Sequence, residues 1–152
     1  MRRKERQQDR EVALRIIAEA EYGVLSMVDH QGKPYALPVS HAVVNDTIYI
    51  HGALEGKKLD LIPSQSRVAF TCVGKTHLRP ALFTTDYESA IAYGRIAIVS
   101  DSQVKRSALQ AIAKKYSGEF LVEADEYITS AFDEVTVIAI TIEEVTAKAR
   151  RP

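Results

Sequence analysis

The sequence predicts a mainly β fold with flanking helices, an antiparallel six-stranded barrel that carries its helices outside. Three observations predict it. Six runs carry strand signals, and most are joined by turns too short for a parallel crossover. The final run, residues 135–142 (VTVIAITI), is apolar on both faces, as in a strand inside a sheet. An open sheet of this kind exposes two edges, which closure or pairing with a second copy would cover.

Residues 1–8 are basic and polar and read as a frayed arm. Asp9 suits the N-cap of a helix to about residue 20, where Val12, Ala13, Ile16, Ile17 and Ala20 recur at helical spacing. Gly23 stops it. Residues 24–28 form the first strand, and Asp29-His30-Gln31-Gly32 the turn after it. Residues 35–44 are the second strand, and Asn45-Asp46 turns the chain into the third, residues 47–51. A short helix follows within residues 54–62, with a basic start at Gly56-Lys57-Lys58 and a stop before Pro63. Residues 67–73 are the fourth strand. Residues 74–88 read as a loop, long enough to be functional or mobile. The fifth strand is residues 89–99. Asp101 or Ser102 caps a helix to about residue 116, with Val104, Ala108, Ala111 and Ile112 inward. Residues 119–131 form another helix, and residues 135–142 close the fold.

At 152 residues the chain fits one domain over residues 1–152. Lys and Arg balance Asp and Glu, so no overall field steers the protein to nucleic acid. The single cysteine, Cys72, cannot form an internal disulfide and suits a reducing cytoplasm. No apolar run approaches membrane-span length, and the charged start has no signal-peptide pattern. A soluble, cytoplasmic protein is expected, with no nucleic-acid or membrane partner.

Several residues could carry chemistry. On the second strand Tyr35, Leu37, Val39, His41 and Val43 share one face, and Ala36, Pro38, Ser40 and Ala42 the other. The small set lets a flat ring lie against the backbone; it equally fits a crowded barrel taper. Pro38 cannot donate to a ladder, so its strand is an edge or bulged. That frees backbone groups for a ligand, or simply blocks aggregation. Lys57 and Lys58 sit at a helix start, where the dipole disfavours cations unless an anion joins them. They hold a phosphate, or are two solvated lysines. His51 ends the third strand beside Gly52 and Ala53. It polarises a substrate oxygen or moves a proton, or it bonds a backbone carbonyl. Ser89, Tyr93 and Arg95 alternate on the fifth strand, and Arg95 suits a phosphate, a carboxylate or solvent. His30, His41, His77 and Cys72 show no metal-ligand spacing, and Cys72 reads as an inert buried thiol. Glu143-Glu144 read as surface beyond the last strand.

The ordered series Gly23-Val-Leu-Ser, Pro34-Tyr-Ala-Leu-Pro-Val-Ser, Ile48-Tyr-Ile-His51-Gly-Ala, Glu55-Gly-Lys-Lys58-Leu-Asp, Phe83-Thr-Thr and Ser89 through Tyr93-Gly94-Arg95 resembles the pyridoxamine 5′-phosphate oxidase-like flavin proteins. Within them it is most similar to the 5-nitroimidazole reductase branch, linked to antibiotic resistance. The resemblance runs from about residue 12 to about residue 146. It implies an FMN-binding split β-barrel and a homodimer with FMN at the subunit interface. It also implies that Lys57 and Lys58 hold the flavin phosphate, and that Pro38, Val39 and Ser40 run beside the isoalloxazine ring. His51, Gly52, Ala53 and Ser89 complete the implied site. Gly52 departs from the pattern, since serine is common there. The arginine-rich phosphate cluster and C-terminal substrate segment of true pyridoxamine phosphate oxidases do not appear, so that activity is not expected.

The expected function is an FMN-dependent oxidoreductase that passes electrons from a reduced carrier to a small acceptor such as a nitroaromatic. His51 would be catalytic, and the loop over residues 75–87 would cover the site. The alternatives are a non-catalytic flavin- or haem-binding module, with His41, His51 or His77 as an axial ligand, and a ligand-free dimeric scaffold.

Overall fold

In the computed structural model, which describes residues 3–64 and 67–150, the predicted turns set the strand pairs. The Asp29 carboxylate accepts from the backbone N–H groups of Gln31 and Lys33, at 2.9 and 2.8 Å, and Gly32 takes φ +80°. That turn joins β2 (Gly23–Val28) to β3 (Pro34–Val39). Asn45 and Asp46 both have positive φ, 47° and 58°, as a two-residue type I′ hairpin requires. They join β4 (Ala42–Val44) to β5 (Thr47–Gly52).

Asp9 caps α1 (Arg10–Glu19), its carboxylate accepting from the Val12 N–H at 2.8 Å. A short α2 (Lys57–Leu61) follows β5. Two long strands, β6 (Val68–Arg79) and β7 (Thr84–Ile98), lead to α3 (Ser102–Tyr116) and α4 (Leu121–Ser130), and β8 (Thr136–Arg150) ends the fold. Asp101 caps α3 through two backbone N–H groups.

Every ladder among the described residues is antiparallel, in the order β3-β2-β6-β7-β8-β5-β4. The two ends of that order, β3 and β4, are separated in sequence only by Ser40 and His41. The sheet therefore curls until its ends meet, which is a barrel split at one point. Inside lie Leu25, Ile48, Ile50, Phe70, Ile138 and Ile140, and α1 adds Ile16 and Ile17 to the same core. Outside, α3 and α4 cover Val137 with Ala108, Leu109 and Ile128. β8 is thus apolar on both faces because both are covered, as the sequence predicts.

The structure corrects several expectations. The single strand over residues 35–44 is broken at Ser40-His41, because its halves serve opposite ends of the sheet. Residues 74–88 are not a loop but most of a hairpin. Thr76 pairs with Tyr87 and Arg79 with Thr84, a bulge sits between Val73 and Thr76, and Pro80–Leu82 is a tight tip. Gly74 and Pro80 suggest a loop in sequence, whereas they mark a bulge and a tip. Tied into a ladder, residues 75–87 are not a free cover for a site.

β8 runs eight residues past the expected end, so Glu143 and Glu144 lie within the strand and pair with Arg95 and Arg67. Arg95 is thereby occupied by a carboxylate of its own chain. The expected arm also docks: Gln7 and Gln8 form β1 against Lys148 and Ala147, while residues 1–2 lie outside the described residues. With β1 and the break at His41 there are eight strands among the described residues rather than six. On α3, Leu109 is buried and Val104 is exposed, a rotation of the expected inward face.

Candidate functional site

The end of β5 and the start of α2 form one cluster. Gly56 takes φ +134°, a conformation that favours glycine, and lets the chain turn from β5 into α2. α2 has only five residues, so its dipole is slight and the lysine charges themselves dominate. Lys57 is exposed and sets its Nζ 4.6 Å from the centre of the Tyr35 ring on β3. Lys58 folds back over Gly52: a Cβ at Gly52 would lie 2.7 Å from Lys58 Nζ. Neither lysine is in an ion pair with a carboxylate among the described residues.

His51 precedes Gly52, its side chain at a cleft mouth. Partial burial, then the positive charge of Lys58, lower its pKa, so the ring is neutral near pH 7. A neutral imidazole can both donate and accept a proton.

β3 connects this cluster to the cleft. Tyr35, Leu37 and Val39 pack inward against the core, while Ala36, Pro38 and Ser40 are exposed. β3 pairs only with β2, so Pro38 does lie in an edge strand. The outward face is a strip of small side chains that ends at Ser40, while Lys57 lies against the ring of the inward-facing Tyr35. Ser40 and His51 share the mouth of a cleft of about 640 Å³ between α3, α4 and the sheet. Leu109, Ile112, Phe120, Tyr127, Ile128 and Val135 make most of its wall.

The structure thus brings together Ser40, His51, Gly52 and Lys58, with Pro38 and Lys57 along the same strand. Val39 turns inward, and Ala53 is exposed beyond Gly52. Ser89 stands apart. β2 and β6 lie between β3 and β7, a separation of about 14 Å at ~4.8 Å per strand.

A second polar cluster was not legible in sequence. His41 is fully buried, and its Nε2 lies 2.6 Å from the Ile17 carbonyl oxygen, so Nε2 carries the proton. Its Nδ1 is buried without a hydrogen-bond partner. Lys115 Nζ donates to the Ala20 carbonyl at 2.7 Å, and the Tyr116 hydroxyl donates to that of Glu21 at 2.5 Å while accepting the His41 N–H at 2.9 Å. α1 has no basic residue in its last turn, so these distant groups satisfy the carbonyls at and just beyond its C-terminus.

Burial, aided by the Lys115 charge, pushes His41 down to about 4, against its bond to Ile17. Burial pushes the Cys72 thiol up to about 12, which makes it inert, as expected. His41 is therefore a fully buried structural group, its Nε2 bonded to Ile17 and its Nδ1 closed off from solvent. Among the described residues no group of three or more His, Cys, Asp or Glu could hold a metal ion. No helix is long and apolar enough to cross a membrane.

Known structures share this architecture. A candidate 5-nitroimidazole antibiotic resistance protein from Bacteroides thetaiotaomicron is 26% identical, with a TM-score of 0.78 over 93% of this chain and 84% of that one. The flavocytochrome Anf3 from Azotobacter vinelandii is 20% identical, with a TM-score of 0.79 over 100% and 72%. A FAD- and haem-binding protein from Mycobacterium smegmatis is 18% identical, with a TM-score of 0.83 over 97% and 74%. The last two show the fold alone. No curated protein matches the sequence. The split barrel and its helices thus have counterparts across nearly the whole chain, and residues 9–149 match the model of the pyridoxamine 5′-phosphate oxidase family, to which the chain belongs.

Proposed function

We propose that the protein is an FMN-binding oxidoreductase that reduces small organic acceptors, nitroaromatics among them, and acts as a homodimer in the cytoplasm. One observation carries this reading. Beside an exposed edge strand stand two lysines without carboxylate partners among the described residues, Lys57 at the Tyr35 ring and Lys58 over Gly52 next to the neutral His51. A phosphate monoester attached to a planar ring fits that arrangement, and the flavin, when bound, supplies the redox chemistry. Lys57 and Lys58 hold the phosphate. Pro38 and Ser40 present small side chains to the ring, and Val39 anchors that strand in the core. Gly52 leaves room for Lys58, and Ala53 continues the cluster's edge.

His51 donates a hydrogen bond from its ring N–H to a polar atom of the acceptor, and passes a proton on only after its other ring nitrogen has taken one from solvent at the cleft mouth. Ser89, three strands from Pro38, and the homodimer both rest on the family resemblance. The likeness to the Bacteroides protein supports a nitroaromatic acceptor.

The test is the visible absorption spectrum of purified protein, with mass spectrometry of whatever heat releases. Flavin bands and released FMN are expected. A Soret band without flavin would replace this reading with a haem module ligated by His51 or His77, since His41 is fully buried.

A further inference from the structure

We propose that the groove between α3 and α4 binds the acceptor, and that this acceptor is a flat, uncharged aromatic molecule with one polar edge, placed at His51. The redox role rests on the flavin reading above; the binding itself does not.

The cleft holds about 640 Å³, within the range of small-molecule sites, about 300–1,000 Å³. Its wall is apolar and rich in aromatic rings. α4 buries only Ile128, leaving Phe120 59% and Tyr127 73% exposed at the groove. Exposed rings around a concavity are what a flat apolar molecule would cover. Ser40 and His51 are the lining side chains beside the candidate flavin strip; the other polar ones are Tyr116, Ser117, Glu123 and Tyr127. A molecule in the groove that is to be reduced places its polar edge at His51.

The lining also excludes other occupants. It contains no lysine or arginine, and Glu123 stands at the wall, so an anionic ligand finds no counter-charge. A peptide would need hydrogen-bond partners along its backbone, and an aliphatic and aromatic wall does not supply them.

The chain has no tryptophan, so Phe120→Trp places a single indole in the groove. The probe is 1-nitronaphthalene, an uncharged aromatic quencher. Saturable quenching of the indole emission is expected. Ala113→Phe, which fills the groove, should weaken it about tenfold or more, and Tyr127→Ala, an exposed change that spares the fold, about threefold or more.

Quenching that stays linear, or is unchanged by both substitutions, overturns the proposal. FMN affinity is measured on the same samples. FMN binding without saturable quenching removes the groove proposal alone. Saturable quenching without FMN affinity supports the groove and removes the flavin reading.

Discussion

Lys58 lies over the strand because Gly52 has no side chain to keep it away. The neighbour that a Cβ would meet is the far end of a flexible lysine, not backbone. Gly52→Ser should therefore change stability by less than about 1 kcal/mol in denaturant unfolding while displacing the ammonium from His51. The same contact sets the histidine's titration. Lys58→Gln removes one of the two effects that lower the His51 pKa and leaves burial, the larger, in place. An NMR titration should show His51 moving part of the way back toward its ordinary value; no movement would dissociate the two residues. At this scale the sequence was informative about residue types and blind to contacts. The lysine pair and the histidine stood out by their local pattern, and the missing serine only by the family resemblance. That Lys58 fills the place of the missing side chain depends on a backbone turn at Gly56 that only coordinates show.

The elements with local signals were the legible ones. Asp9, Asp101 and Asp29 are side-chain-to-backbone devices and Asn45-Asp46 a positive-φ turn, each a few residues long, and the structure uses each as read. The hairpin over residues 74–88 pairs within itself, Thr76 with Tyr87 and Arg79 with Thr84, but Gly74 and Pro80 gave it the local look of a loop. Other failures depended on partners far away in sequence. The break at Ser40-His41 exists because β3 and β4 belong to opposite sheet ends. That break is held by the Lys115 and Tyr116 side chains from α3. Lys115→Met leaves the Ala20 carbonyl without its donor and should cost about 1–2 kcal/mol in chemical denaturation. The bulge in β8 opposite Tyr93 and Gly94 makes a second prediction. A Cβ on Gly94 would collide with the Thr141 carbonyl oxygen, a backbone atom that cannot step aside. Gly94→Ala should destabilise by about 1–3 kcal/mol or more, seen as a lowered Tm.

For the whole molecule, stability and ligand both turn on buried or unpaired charge. His41 has a folded pKa of about 4, below its unfolded value of 6.5. Between those values the unfolded chain binds the extra proton, so stability rises with pH through this window and falls as pH drops below 6.5. The full effect is on the order of 3 kcal/mol by pH 4, and His41→Gln should flatten it in urea unfolding followed against pH. The Lys115 ammonium, the Cys72 thiol and the Ile17 carbonyl face the ring, and none of them gains a proton in that window.

The lysine pair makes the larger claim, that the barrel's free edge is a flavin site. Equilibrium titration with FMN tests it most directly, in the native chain and in the Lys57→Gln/Lys58→Gln double variant. The account predicts saturable binding by the native chain. It also predicts that the double variant binds about ten- to a hundredfold more weakly and with less salt dependence, as loss of charged phosphate contacts requires. No FMN affinity in the native chain, or equal affinity in both proteins, would contradict it.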